Sequence, residues 1–384
     1  MNDAGAAAPK ADAPGRTAPG LTAPGSGEVA AIGIAPDVVR WQRLHGRHDL
    51  PWQGTTDPYR IWLAEVMLQQ TQVVAVVPFF QSFIAAFPTV SDLAGATTDQ
   101  VMSLWSGLGY YSRARNLHAA ARQVLEQHAG SFPATAAGLS SLPGVGRSTA
   151  AAIAVFAFGE RAAILDGNVK RLFCRLFAVE GYPGDGGVLR RLWSHAQAEL
   201  PDADSAPAVR AYTQGLMDLG ATLCTRARPA CERCPLRAKC AAWREGAVHR
   251  YPTPRPRRET PVREVEMLLL CYRQAVLIEQ RPPVGVWGGL WSLPEIQPAD
   301  RVLGEIAAAG LRLPASRTMQ SIRFEHAFTH FRMKARVWRV ELDEAEAQAV
   351  LRQTTPARWL ALCDAGGAPL PRPVKSLLQA IAAS

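Results

Sequence analysis

The chain has 384 residues, 48% hydrophobic and 20% charged, with a formal net charge of +9. That length accommodates two or three domains, each able to bury its own core. No stretch approaches the roughly 20 uninterrupted apolar residues of a membrane-spanning helix, so no membrane partner is expected, and the positive balance favours a polyanionic partner without saying which.

Residues 1–36 are mostly Ala, Gly and Pro (Ala6-Ala7-Ala8-Pro9, Ala18-Pro19-Gly20) and lack the charged start and apolar run of a secretory signal. They read as a disordered tail on a cytoplasmic protein. From 37 to 223 the pattern is helical: Tyr59–Pro78, Asp99–Gln127 and Arg147–Phe158 carry apolar residues at helix spacing, broken by Pro and Gly. A cysteine-rich loop, 224–249, closes this region. Alternating prolines and arginines over 250–263 read as an extended linker. Beyond it, 264–384 reads as a small mixed α/β domain. Strands are expected at Glu266–Cys271, Ala275–Glu279 and Arg332–Leu342, and helices at Val302–Ala309 and Val374–Ala382. The fold class is therefore multidomain, an all-α domain followed by an α/β domain.

Four segments carry chemistry. Ile61-Trp62-Leu63-Ala64-Glu65-Val66-Met67-Leu68 is a helix apolar on nearly every side, started by Asp57-Pro58, and Glu65 is its only charge. Apolar surroundings disfavour a carboxylate and raise its pKa toward the range of a proton donor; a buried Glu paired to an arginine is the competing account. Leu142-Pro143-Gly144-Val145-Gly146-Arg147-Ser148 joins two helical stretches, with backbone amides at a helix start that suit an anion. A plain helix–helix turn has the same glycines. Twenty residues past Gly146 stands Asp166, before Gly167-Asn168-Val169-Lys170, either a catalytic carboxylate or a helix cap, two roles that are compatible. Finally Cys224, Cys231, Cys234 and Cys240 are spaced for a soft metal centre rather than a disulfide framework. Zinc more commonly uses two Cys-x2-Cys pairs, and only one occurs here.

The string Glu65-Val66-Met67-Leu68-Gln69-Gln70-Thr71, the hairpin with Asp166, and the cysteine spacing together resemble the MutY-type adenine DNA glycosylases. These are iron–sulfur members of the helix-hairpin-helix base-excision superfamily, and the resemblance covers roughly 37–384. It implies a 4Fe–4S cluster on the four cysteines, protonation of adenine by Glu65 and support of an oxocarbenium-like sugar by Asp166. It implies a double-stranded DNA partner carrying adenine opposite 8-oxoguanine or guanine, bound by a monomer. Gln70 and Tyr110 are implied as wedges in the base stack and Gln214 as a contact to adenine. Thr71, Gly144, Gly146, Ser148, Asn168 and Lys170 are further candidates for the DNA contact.

Endonuclease III, a related enzyme, carries a nucleophilic lysine directly after the hairpin arginine. Ser148 stands there in this chain and cannot form a Schiff base. A monofunctional enzyme is expected, with any borohydride-trapped product sugar on Lys170, the only lysine between 37 and 223. An endonuclease III-like lyase and a non-catalytic iron–sulfur DNA-binding protein are the alternatives. Gly285-Val286-Trp287-Gly288-Gly289-Leu290-Trp291 resembles a loop of MutT-like (Nudix) domains, without the clustered glutamates that hold magnesium in a Nudix hydrolase. The second domain is expected to bind without hydrolysing. Phe328-Thr329-His330 matches the family's Phe-Ser-His loop for 8-oxoguanine; a strand end bearing a histidine is the plainer reading.

Overall fold

The computed structural model describes residues 29–202, 206–256, 260–296, 301–302, 305–308, 311–314, 320–328, 330–353 and 356–383. The helical part runs α1 (Ala35–His45), α2 (Pro58–Leu68), α3 (Val73–Ala86), α4 (Val90–Gly95), α5 (Thr98–Trp105), α6 (Ser112–His128), α7 (Ala136–Leu139), α8 (Arg147–Ile153), α9 (Gly167–Leu176), α10 (Gly186–Ala198), α11 (Ala206–Asp218) and α12 (Ala241–Arg244). Short polar residues start several of these helices. Asp57 accepts the Tyr59 amide, and Thr89 and Thr97 form capping boxes with Asp92 and Gln100. Helices α8 and α11 each continue into a π-helical turn, Ala154–Phe158 and Leu219–Leu223.

Helix α2 is apolar on almost every side because it is packed on almost every side, against α3, α6 and α8. Trp62, Phe80, Phe83 and Trp105 form the centre of one hydrophobic cluster there. A second cluster gathers Ile34, Val38, Phe173, Tyr212 and Leu216 from α1, α9 and α11. Helix α8 belongs to both, giving Ala150 and Ile153 to the first and Ala151 and Ala152 to the second. The hairpin that precedes α8 therefore lies at the seam between the two helical layers.

The C-terminal part contains β1 (Val262–Tyr272), β2 (Ala275–Gln280), β3 (Trp291–Ser292), β4 (Glu295–Ile296), β5 (Arg301–Val302), β6 (Glu305–Ala308), β7 (Leu311–Pro314), β8 (Gln320–Ala327), β9 (Arg332–Glu341), α13 (Glu344–Gln353), β10 (Ala357–Ala361) and α14 (Arg372–Ala382). The main sheet has the order β10-β2-β1-β9-β8, with β1 and β9 parallel from Val262↔Arg332 to Cys271↔Glu341. Strand β1 is buried on both faces, which is why Met267–Cys271 is continuously apolar. Leu268 and Leu270 meet Val350 of α13, while Met267 and Leu269 belong to the cluster that contains Val374 and Leu378 of α14. That cluster is continuous with the α2 core of the helical domain.

Polar contacts reinforce the join. The Trp291 indole donates to both oxygens of Asp99 on α5, at 3.2 and 3.1 Å, and Arg358 lies 3.7 Å from the same carboxylate. Ser106 donates to the Leu370 carbonyl at 3.2 Å, and the Arg115 guanidinium donates to the Gly288 carbonyl.

Three expectations need correction. The helix expected at Val302–Ala309 is absent where that segment is described: β5, β6 and β7 form an antiparallel three-stranded sheet. Glu, Ala and Leu favour a helix intrinsically, but strand pairing overrides so weak a preference. The tail expected over 1–36 ends earlier, since Ile34 is fully buried and the Ile32 and Ile34 amides donate to the Glu199 carboxylate at 2.6 and 3.0 Å; residues 1–28 lie outside the described residues. The linker expected from 250 begins inside the helical domain, with Tyr251 buried and its carbonyl accepting from Arg175 at 2.9 Å.

Candidate active site

Glu65 projects from α2 into a cleft of roughly 460 Å³ that Trp52, Phe156, Gln214, Arg47 and Leu68 also line. A cleft of that size and mixed lining suits a small organic ligand. Burial pushes the Glu65 carboxyl up to about 8, and the negative charge of Asp166 adds to the rise. Among the described residues no guanidinium or ammonium acts on it, so the described contacts give Glu65 no ion-pair partner. Near neutral pH the carboxyl holds a proton and faces open space.

Asp166 caps α9, its Oδ1 accepting the Val169 amide at 2.8 Å. Burial raises its pKa, opposed by the Val169 and Asn168 amides and by the charges of Arg171 and Lys170. Two carboxyls on different helices thus sit close enough to repel, one with no cationic support and one with several such aids to ionisation. Ser148 is used structurally: its Oγ accepts the Leu165 amide at 2.9 Å, tying the hairpin helix to the residue before Asp166. Asn168 accepts from Arg171 at 2.9 Å, and Arg171 continues to the Gly220 and Cys224 carbonyls at 2.6 and 2.8 Å.

In the hairpin, Gly144 has φ +78°, and a Cβ there would lie 2.8 Å from the Asn116 Cβ, so only glycine fits. Gly146 is the N-cap of α8. Gln69 reaches across to donate to the Gly144 carbonyl at 3.2 Å and the Thr149 hydroxyl at 3.3 Å, joining the end of α2 to the hairpin.

Gln70 and Tyr110, the two expected wedges, are both exposed and both non-glycine residues at positive φ, 58° and 49°. Such strain persists only where surrounding structure imposes it. Here the buried guanidinium of Arg113 does so. It donates to the Val66 and Met67 carbonyls at 3.1 and 2.7 Å, to the Thr71 hydroxyl at 3.0 Å and to the Gly109 carbonyl at 3.2 Å. It also lies 5.5 Å from the Tyr110 ring centroid. Thr71 is therefore a support of the first turn.

The four clustered cysteines line one cavity with Leu172, Arg175 and Leu236, and none is in a disulfide. Among the described residues no three His, Cys, Asp or Glu side chains converge as the ligands of one ion would. Four free thiols around one cavity are the donor set of a soft metal centre. Burial pushes the Cys234 thiol up to about 12, so a thiolate there needs cationic support. Arg175 stands at a different sulfur of the group, donating to the Cys224 Sγ at 3.3 Å and to the Thr225 and Arg226 carbonyls at 2.7 and 3.1 Å. Lys239 and Arg237 of this loop are engaged with Asp37 and Glu232, whereas Arg226, Arg228 and Arg233 are exposed.

In the C-terminal domain Phe328 stacks on Phe331 at 4.5 Å and meets His326 edge-on at 4.6 Å, inside an aromatic group with Trp287. His330 is exposed, and Thr329 lies outside the described residues. Glu295 is paired with Arg281 at 2.7 Å.

Sequence reasoning missed Arg113 and the buried carboxylate of Asp218 behind Gln214. Gln214 donates to Asp218, one turn on, at 2.9 Å, and Asp218 is fully buried against Arg47. The i, i+4 spacing of two polar residues on an otherwise buried face of α11 was the available signal.

Residues 63–197 match the family described as HhH-GPD superfamily base excision DNA repair protein, and residues 266–380 match the NUDIX domain family. The chain is 30% identical over 342 residues to the adenine DNA glycosylase of Buchnera aphidicola subsp. Acyrthosiphon pisum (strain APS), covering 89% of this chain and 95% of that one. It is 32% identical over 376 residues to the adenine DNA glycosylase of Homo sapiens, covering 82% and 68%. A solved structure of a thermostable thymine-DNA glycosylase matches with a TM-score of 0.48 and 27% identity, over 55% of this chain and 95% of that one.

Proposed function

The chain belongs to the adenine DNA glycosylase family of base excision repair, and from that premise we propose that it removes adenine opposite 8-oxoguanine or guanine by a monofunctional, two-carboxylate hydrolysis. Adenine leaves the stack and enters the Glu65 cleft. Neutral adenine is a poor leaving group, so the Glu65 proton is delivered as the N-glycosidic bond breaks. Asp166, one helix away, stabilises the positive sugar, and water completes the reaction to an abasic site. With Ser148 in place of a lysine there is no Schiff base and the strand stays intact; any trapped product sugar runs through Lys170.

The remaining candidates act on the duplex. Gln70 and Tyr110 enter the stack, the Gly144–Gly146 hairpin with Lys170 holds the backbone, and the Phe328–His330 loop reads the opposite base. Cys224, Cys231, Cys234 and Cys240 hold a 4Fe–4S cluster, which when bound fixes this loop so that Arg226, Arg228 and Arg233 face phosphates. No described helix is long and apolar enough to cross a membrane, and the enzyme acts as a monomer.

What carries this reading is the Glu65 carboxyl, pushed up to about 8 by burial on an open cleft, with Asp166 near enough to add to the rise. Single-turnover assays on duplexes pairing adenine with 8-oxoguanine, guanine or thymine test it, with the products divided before mild alkali. Breaks are expected only after alkali, fastest for 8-oxoguanine, and absent with Glu65→Gln. Breaks before alkali overturn the monofunctional assignment, and full activity of Glu65→Gln overturns the acid.

A further inference from the structure

Gln214 is the cleft-lining amide nearest in the chain to a buried charge. Its Nε2 donates to Asp218 Oδ1 at 2.9 Å. Asp218 is 0% exposed and receives Arg47 three times: Nε at 2.7 Å and Nη2 at 2.6 Å on Oδ1, and the backbone N–H at 2.9 Å on Oδ2. Arg47 and Gln214 both line the Glu65 cleft. A carboxylate only accepts hydrogen bonds, whereas an amide has one accepting and one donating end. Turning the amide over would press its oxygen against a carboxylate that is fully buried and accepts only. The nitrogen end is therefore committed to Asp218, and the carbonyl oxygen is the acceptor left for whatever occupies the cleft.

We propose that Asp218, paired to Arg47, is a positioning residue for specificity: it holds the Gln214 amide so that its carbonyl oxygen accepts from the exocyclic amino group of the bound base. A 6-amino purine satisfies that oxygen. A 6-oxo purine sets a second oxygen against it, and a purine with hydrogen at this position leaves it without a donor. Sites built to bond a polar group reject analogues lacking it because their own buried atoms are then unpaired. The inference rests on the Glu65 cleft being the base site.

The test is single-turnover excision by the full-length protein from duplexes carrying adenine, unsubstituted purine or hypoxanthine opposite 8-oxoguanine. Differences in intrinsic reactivity among the three bases cancel when each variant is compared with the parent. Asp218→Asn offers Gln214 either a donor or an acceptor and no longer selects one amide orientation. The adenine-to-purine rate ratio is expected to fall by about tenfold or more relative to the parent, and hypoxanthine to gain on adenine. Asp218→Glu, which keeps an acceptor and a charge, is expected to retain most of the preference. Should Asp218→Asn fail to fold, Arg47→Gln/Asp218→Asn removes both charges together and is read the same way. An unchanged ratio, with all rates lowered by one common factor, makes Asp218 a support of the fold and overturns the proposal. Failure of the base-site reading shows separately, as adenine excision that survives Glu65→Gln in the parent background.

Discussion

Replacing Glu65 by Gln should remove activity and also make the protein more stable, increasingly so as the pH rises. The folded carboxyl titrates at about 8 against 4.5 for an unburied glutamate. Between those values the folded state holds a proton that the unfolded chain has released, so stability falls as pH rises through the window. The slope is about 1.4 kcal/mol per pH unit, and the whole shift corresponds to about 5 kcal/mol. Between pH 5.5 and 8.5 the parent should lose about 3 kcal/mol from this one group. The substituted amide does not titrate, and whatever fixed offset it introduces is the same at both pH values. The Tm of Glu65→Gln minus that of the parent should therefore widen by about 6–12 °C between pH 5.5 and 8.5 for a domain of this size. Thermal unfolding of the two proteins in parallel, at matched salt, measures the gap. A gap that stays constant refutes the reasoning, because it means that Glu65 is ionised in the fold at neutral pH. In the parent the same proton serves the chemistry, so single-turnover excision should decline above pH 8, where the folded carboxyl loses it.

Asp166→Asn should lower the single-turnover rate by about 10²–10³-fold with little change in Tm, since Asn caps a helix as well as Asp does; an unchanged rate would mark Asp166 as a cap alone. Arg113→Lys keeps the charge but not the planar fork that reaches both the α2 end and the Gly109 turn. It should cost about 2–3 kcal/mol in denaturant unfolding and open the Gln70 and Tyr110 turns to limited proteolysis, and an unaltered cleavage pattern would count against the clamp. Cys234→Ser should purify with sub-stoichiometric iron and inorganic sulfide, whereas zinc found in the parent by elemental analysis would replace the cluster reading.

The helices and the central strands were legible because their signals are local. Asp57-Pro58 starts α2, the continuous apolar run of β1 marks a strand covered on both faces, and the Cys spacing needs no tertiary knowledge. Glu65 could be singled out as one charge in an apolar helix, but its proton-bearing state also depends on Asp166, which only the folded chain brings near. Ser148 shows the opposite limit. Its residue type excludes a Schiff base, yet its bond to Leu165 is a tertiary fact. Arg113 was invisible for the same reason: an arginine between Ser112 and Ala114 looks like helix surface until Val66, Thr71 and Gly109 close around it. The segment Val302–Ala309 failed because composition there favours one state and pairing partners impose another.

Asp99 gives the molecule an architectural consequence. One carboxylate on α5 accepts the Trp291 indole and lies close to Arg358, directly beside apolar packing that runs without interruption from α2 to β1 and α14. A chain severed after the helical domain would bare a greasy, half-wired face where a seam used to be. The C-terminal domain is thus joined to the frame that carries Glu65 by continuous packing and polar bonds, so tilting either one must break those contacts.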